Sequence, residues 1–325
     1  TAAVALSLAA GATPAAADKI SLMVGGIEKQ IYLPAKLAEQ LGYFKEQGLD
    51  VELLTEPAGV QAENAMLAGE VQAVVGFYDH AIDLQAKGKF VESVVQFSEA
   101  PGEVELVSAK VVDKVRTPAD FKGKHLGVTG LGSSTSFLTQ YLAVRNGVKM
   151  GEFVLVPVGA GSTFIAAIQQ GKIDAGMTTE PTISRLLKTG EAKVLVDLRS
   201  PSKTAAALGG PYPAACLYAQ TSWVDKHKDA VQKLANALVK TLRYIHDHPA
   251  AEIAEKMPKD YYAGDKDLYV RALADGKDMF TADGVMPDKG PETVLQVLAA
   301  SNKALENKKI DLSKTYTTEF VKAAK

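Results

Sequence analysis

The sequence predicts an α/β fold of two lobes, each a parallel-rich sheet flanked by helices, with a ligand cleft between them. Three observations carry this. Between residues 20 and 190, short apolar runs alternate with segments of helical period, the pattern that feeds parallel sheets. The pattern occurs twice. Gly59, Ala65, Gly69, Ala73, Leu84 and Gly88 recur as Gly161, Ala167, Gly171, Ala175, Leu186 and Gly190 at a constant spacing of 102. Lys19, Gly25, Leu33, Leu37 and Ala38 recur as Lys124, Gly130, Leu138, Leu142 and Ala143 at a spacing of 105. Finally, the last hundred or so residues are charged and helical without any such repeat, which makes them a support packed on one lobe.

Taken in order, residues 20–24 form a strand, Gly25 and Gly26 a turn, and Leu33, Leu37 and Leu41 one face of a helix ending at Gly42. Strands follow at 51–54 and 71–77, separated by a helix over 59–68, and a helix opens at Tyr78-Asp79-His80 and closes at Gly88. Two further strands lie near 90–97 and 104–108. Thr117-Pro118-Ala119-Asp120 has the form of a capping box with proline in the first turn. Residues 125–129 are a buried strand that runs through Gly130-Leu131-Gly132 into Ser133, Ser134 and Thr135 at a helix start. A strand at 153–158, a helix at 162–170, a strand at 173–178 and a helix opening at Glu180-Pro181 complete the repeat. A loop over 199–213, a strand at 214–219 and a long helix bearing Val231, Leu234, Leu238, Leu242 and Ile245 follow, with Pro249 as its breaker. The expected division is 18–107 with 214–325 as the first lobe and 108–213 as the second, hinged near Val107 and Ala214.

The 325 residues are enough for two domains, and 47% hydrophobic with 23% charged residues is the composition of a globular protein. A net charge of −2 and a pI near 6.2 give no basic surface for nucleic acid. Residues 1–17 are small, apolar and uncharged and end in Ala15-Ala16-Ala17. They read as the close of a cleaved secretory signal peptide whose basic beginning is expected upstream of Thr1. No later apolar run reaches the ~20 residues that span a bilayer. Cys216 alone can form neither an intrachain disulfide nor a thiolate cluster, and its apolar setting makes it a buried small hydrophobe. The expected place is the periplasm.

In parallel α/β sheets ligands bind beyond the carboxyl ends of strands, where helix N-termini point. Four loops qualify: 25–32, 77–80, 130–135 and 178–182. Ser133, Ser134 and Thr135 bring hydroxyls to a helix start whose first N–H groups lack partners, an anion seat if they do more than cap the helix. Gly26 lets the first loop turn. Tyr32 and Tyr78 have faces for a planar ligand. Asp79 and Glu180 serve either the helix dipole or a ligand's N–H and O–H groups. His80 is a weaker candidate, and Thr179 and Tyr212 complete the set. The spacing of 102 sets Tyr78 opposite Glu180. Enzyme signatures are missing: Gly130-x-Gly132 lacks the third glycine of a dinucleotide fingerprint, and neither a Walker A loop nor a Gly-x-Ser-x-Gly elbow occurs. His246-x-His248 has no third ligand at a recognisable spacing. No catalytic residue, metal or cofactor is expected.

Three stretches carry a resemblance. Thr117-Pro118-Ala119-Asp120-Phe121-Lys122-Gly123-Lys124-His125-Leu126-Gly127-Val128 resembles the segment opening the second lobe in substrate-binding proteins of the nitrate/sulfonate/taurine ABC-transporter class, within the thiamine-pyrimidine-synthase-like superfamily. Residues 43–51 (YFKEQGLDV) resemble that family's first αβ junction, and 69–73 (GEVQA) and 171–175 (GKIDA) its two strand entries. The resemblance implies a type II periplasmic-binding fold, closing on one small molecule and presenting it to an inner-membrane ABC permease, as a monomer. It also matches Ser133, Ser134 and Thr135 to the loop that holds the anionic group in sulfonate binders. None of the four loops contains arginine, although Lys29 is near the first. That favours a singly charged sulfonate or carboxylate with a polar or aromatic body. A thiamine-type pyrimidine is the alternative, suited to Glu180 and a stacked tyrosine. A pyrimidine-synthesising enzyme is disfavoured, because that branch carries a cysteine-rich motif and this chain has one cysteine.

Overall fold

The computed structural model describes residues 18–324; the expected signal segment, residues 1–17, lies outside the described residues. Ten strands form two sheets of five. The first segment supplies β1 (Asp18–Val24), β2 (Leu49–Thr55), β3 (Ala73–Phe77) and β4 (Val91–Gln96). The second supplies β5 (Glu103–Ser108), β6 (His125–Val128), β7 (Val154–Pro157), β8 (Ala175–Thr179) and β9 (Ala192–Leu198). The chain then returns to the first sheet with β10 (Ala215–Gln220).

The strand orders are β2-β1-β3-β10-β4 and β7-β6-β8-β5-β9, so the second sheet reproduces the first position by position. In each, three parallel strands are followed by an antiparallel strand received across the junction, β10 in one and β5 in the other. The internal repeat of the sequence is therefore a repeat of topology. β3 reads Ala-Val-Val-Gly-Phe and is buried along its whole length, as a central strand covered on both faces must be. On β5, Val104 and Leu106 pack into one small core with Phe164, Ile168 and Ile183, while Val107 joins Val115, Phe121 and Leu126 on the other face.

The structure changes four expectations. β5 belongs to the second sheet, so the passage between sheets falls in residues 97–102, upstream of the expected boundary at 107. β9 was not foreseen: it is an edge strand with Lys193 and Val194 exposed, which blurs the hydrophobic signal of a strand. Within the expected loop 199–213 lies a helix, Pro201–Leu208, started by the Ser200 side chain accepting from Lys203 N. The C-terminal segment, expected on one lobe, touches both. Its long helix Lys228–Asp247 packs on the helices Leu33–Gln40 and Tyr43–Glu46, whereas Gly290–Ala299 packs on Ser134–Arg145. Lys188, beyond β8, ion-pairs with Asp265 of that same segment. The capping box forms as read, with the Asp120 carboxylate accepting from Thr117 N at 2.9 Å. Among the described residues no helix is long and apolar enough to cross a membrane.

Candidate functional site

The carboxyl ends of β1, β3, β6 and β8 converge with the amino end of β5 on a small pocket, with about 10 Å³ of room for the centre of a water-sized probe. Its lining comes from both sheets: Lys29, Tyr32, Gly59, Phe77 and His80 from the first, and Glu103, Thr129, Ser133, Ser134, Thr135 and Thr179 from the second. Two backbone donors cross between the halves beside it. Val60 N donates to Ser133 Oγ at 3.3 Å, and Gln30 N donates to the Glu180 carbonyl at 3.1 Å.

After β1 the chain turns at Gly26, which has φ of +109°. A Cβ there would lie 2.4 Å from Lys29 Cε, so only glycine lets the lysine fold back over the turn. The Lys29 ammonium donates to the Gly25 carbonyl at 2.6 Å and the Pro57 carbonyl at 3.1 Å. Its third hydrogen has no acceptor among the described residues. Burial pushes Lys29 down to about 8, against the pull of Glu28 and Glu103. The Tyr32 ring meets Phe77 edge-on with centroids 6.0 Å apart, and both line the pocket.

His80 is held from behind: its Nδ1 lies 3.1 Å from the Tyr218 hydroxyl and 3.3 Å from Glu63 Oε2. A proton on Nδ1 donated to these leaves Nε2 as an acceptor, and Nε2 is buried without a hydrogen bond, 3.8 Å from Asp79 Oδ1. The backbone of Gly59 permits this placement, because a Cβ there would lie 2.7 Å from His80 Cε1. At the start of Ser134–Arg145, Ser133 takes extended N-cap geometry, yet no side-chain hydrogen bond caps the helix. Ser134 Oγ, beside Asp79 and Tyr212, satisfies no hydrogen-bond geometry. The Thr135 hydroxyl differs: it accepts from Thr129 N at 3.0 Å and pairs with Thr129 Oγ1 at 2.9 Å. Thr179 Oγ1 and Glu103 Oε2 are buried without partners. Burial, reinforced by Asp79, pushes the Glu103 carboxyl well above its ordinary range.

Six sequence candidates thus meet at the pocket: Tyr32, His80, Ser133, Ser134, Thr135 and Thr179. Five do not line it. Gly26 lies under Lys29. Tyr78 turns to the C-terminal segment, bonding Thr315 and packing edge-on against Tyr316. Asp79 sits behind the pocket and accepts from the Tyr212 hydroxyl at 3.1 Å, which also places Tyr212 there. Glu180 is consumed by Ser184 N, Ser184 Oγ and Arg199, each at 3.0 Å, so its carboxylate braces a helix start. Sequence reasoning missed Lys29 as a lining residue, and Gly59, Phe77, Glu103 and Thr129 altogether. For Glu103 a signal existed: a carboxylate inside an otherwise apolar strand.

Comparison with known proteins places this geometry. A solved protein from Bordetella bronchiseptica RB50 superposes with a TM-score of 0.89 at 35% identity, over 94% of this chain and 96% of that one. The alkanesulfonate-binding protein SsuA from Xanthomonas axonopodis pv. citri, bound to MOPS, gives 0.72 at 17% identity, over 94% and 100%. The shared architecture is the periplasmic binding protein fold. In sequence, the 4-amino-5-hydroxymethyl-2-methylpyrimidine phosphate synthase THI13 of Saccharomyces cerevisiae is 27% identical over 165 residues, 50% of this chain and 46% of the yeast protein. The chain thus spans about half the length of that relative. The family profile described as NMT1/THI5 like matches residues 32–252, and the chain belongs to that family.

Proposed function

We propose that this protein is an extracytoplasmic solute-binding protein, a monomer in the periplasm, that captures a small organic anion and delivers it to an inner-membrane ABC permease. The two sheets act as two lobes, hinged at residues 97–102 and 209–214, and the pocket is the closed cleft between them. One observation carries the reading: an ammonium with a free hydrogen (Lys29) and the Ser134 hydroxyl, at a helix start and beside Asp79 and Tyr212, line one pocket. Donors held dry in this way favour an acidic group, a sulfonate or carboxylate. Tyr32 and Phe77 supply the apolar wall for its body. The fold shared with a sulfonate-binding protein supports the same class.

A thiamine-type pyrimidine is the second reading, favoured by the Tyr32 ring fixed at the pocket wall and by the pyrimidine chemistry named for the yeast relative. Thermal-shift measurements with alkyl- and arylsulfonates, carboxylates and pyrimidines, followed by mass spectrometry of the recovered probe, test both. A binder at 100 times its Kd stabilises the folded protein by about 2.7 kcal/mol and is returned unchanged. A probe that is chemically converted refutes the binding-protein reading.

A further inference from the structure

Glu63 lies outside the pocket lining, on the helix Gly59–Leu67, and is 4% exposed. Its buried neighbours along that helix are Ala62, Ala65 and Met66, so an apolar side chain of its length would suit the packing better. Burial pushes its carboxyl up, and the His80 imidazole beside it pulls it back. Among the described residues His80 is the one group within hydrogen-bond or ion-pair reach, with Glu63 Oε2 3.3 Å from Nδ1. The same helix meets the same ring twice. Gly59 stands one turn before Glu63 on the same face, and the room left by its missing Cβ holds His80 Cε1. Tyr218 and Phe137 close the ring in edge-on, at 6.2 Å and 6.4 Å between centroids, and the Tyr218 hydroxyl lies 3.1 Å from Nδ1. On the other side of the ring Nε2 has Asp79 Oδ1 at 3.8 Å, beyond hydrogen-bond distance. Two carboxyls thus compete for one imidazole, with Asp83 and Lys87 as the further charges around Glu63. A proton on Nδ1 serves Glu63. A proton on Nε2 is drawn toward Asp79, and the ring is then spent inside the protein.

Resting on the solute-binding reading above, we infer that Glu63 is a positioning residue: its carboxylate takes the Nδ1 proton of His80, keeps the ring from flipping and leaves Nε2 bare in the site. The fold bears a buried carboxyl in order to present the less common face of the imidazole, since a neutral histidine in water carries its proton mainly on Nε2.

NMR of the ring nitrogens in the ligand-free full chain tests this, at a pH about two units above the ordinary imidazole value of about 6.5. The His80 signals are assigned through contacts to Phe137 and Tyr218. Nδ1 is expected to hold the proton and Nε2 to be bare. Glu63→Met is expected to move the proton to Nε2, because the Tyr218 hydroxyl then donates to Nδ1, with a urea midpoint unchanged or raised. Tyr218→Phe is expected to keep the proton on Nδ1, because Glu63 remains. A proton on Nε2 in the unaltered protein overturns the inference without any variant. So does an imidazolium that persists at that pH, held between Glu63 and Asp79. A ring unchanged in Glu63→Met, or altered in Tyr218→Phe, overturns the assignment to Glu63. A clearly lowered urea midpoint in Glu63→Met makes the carboxyl a structural brace and overturns the role as well. Each of these results is read without a ligand, so the solute-binding reading stands or falls separately, on the thermal-shift measurements.

Discussion

Replacing Lys29 by methionine separates the two things this lysine does. Lys29 is 5% exposed and its pKa is lowered from 10.5 to about 8, chiefly by burial. That difference corresponds to about 3 kcal/mol of folding stability. Below pH 8 the folded and unfolded chains both hold the proton, so the cost of the buried charge is fully present. As pH rises through 8 the folded lysine releases its proton before the unfolded one does, and by pH 10.5 the cost is gone. Relative to Lys29→Met, the ligand-free protein should therefore gain up to about 3 kcal/mol between pH 7.5 and 10.5. At neutral pH the variant loses two hydrogen bonds to carbonyls, each worth about 1 kcal/mol, and sheds the buried charge. Its stability should thus stay close to that of the original. Binding moves the other way. An acidic ligand needs the ammonium, so affinity for a sulfonate should be flat below pH 8 and fall roughly tenfold per unit above it. In Lys29→Met it should be weak at every pH. Urea denaturation and calorimetry across pH 7–10.5, with variant and original measured together, read both effects. A stability difference that does not change with pH refutes the buried-charge argument. Full sulfonate affinity in the variant refutes the role of Lys29 in the site.

Five other substitutions have definite outcomes. Ser134→Ala should weaken binding by about 10- to 100-fold with little change in urea midpoint, whereas Thr135→Val should lower stability by about 1–3 kcal/mol, because Thr129 N loses its acceptor. Gly59→Ala drives a methyl to within 2.7 Å of the His80 ring, so binding should be lost in calorimetry, with about 1–3 kcal/mol of stability lost in urea. Arg199→Met strips partners from Glu180 and Asp197 and should cost roughly 3 kcal/mol in urea, while Glu180→Gln should leave ligand affinity within about threefold of the original.

How the sequence located the site, and where it failed, comes down to the two-residue period of a strand. The repeat at a spacing of 102 correctly aligned the ends of β3 and β8. It pairs Phe77 with Thr179, and both line the pocket. One step on it pairs Tyr78 with Glu180, and both turn away, one to Thr315 and the other to Arg199. Phe77 looked like an ordinary core residue, so the more chemical neighbour on the wrong face was chosen. The hydroxyl run at 133–135 was legible because a glycine turn before a helix start is a local feature. Lys29 was visible as a charge near the first loop, but not its inward fold, which depends on the room left by Gly26. Glu103 could not follow from the carboxyl-end rule at all. It lies at the amino end of an antiparallel strand, and that direction is known only once β5 is seen in the second sheet.

The reason to regard this pocket as a ligand site is finally a matter of what a fold tolerates. Buried polar atoms are almost always paired, and leaving one open costs about 1–3 kcal/mol. Among the described residues, His80 Nε2, Glu103 Oε2, Ser134 Oγ and Thr179 Oγ1 are all buried on one pocket without a well-formed hydrogen bond, and Asp79 Oδ1, also without one, lies 3.8 Å from His80 Nε2. The other unpartnered buried atoms, such as those of Tyr261, Tyr269 and Ser301, lie outside that lining. Nor does any single segment supply the four: they come from the ends of β3, β5, β6 and β8, two of which pair antiparallel with each other. Nothing in the packing of either sheet requires these groups to meet, since apolar residues of similar size would fill the same volume at lower cost. Donors and acceptors are mixed, with the Lys29 ammonium, the His80 imidazole and the Glu103 carboxyl all lining the pocket. An arrangement of that kind suits a molecule that both accepts and donates better than it suits a bare ion, whose one sign of charge can answer only half of the lining.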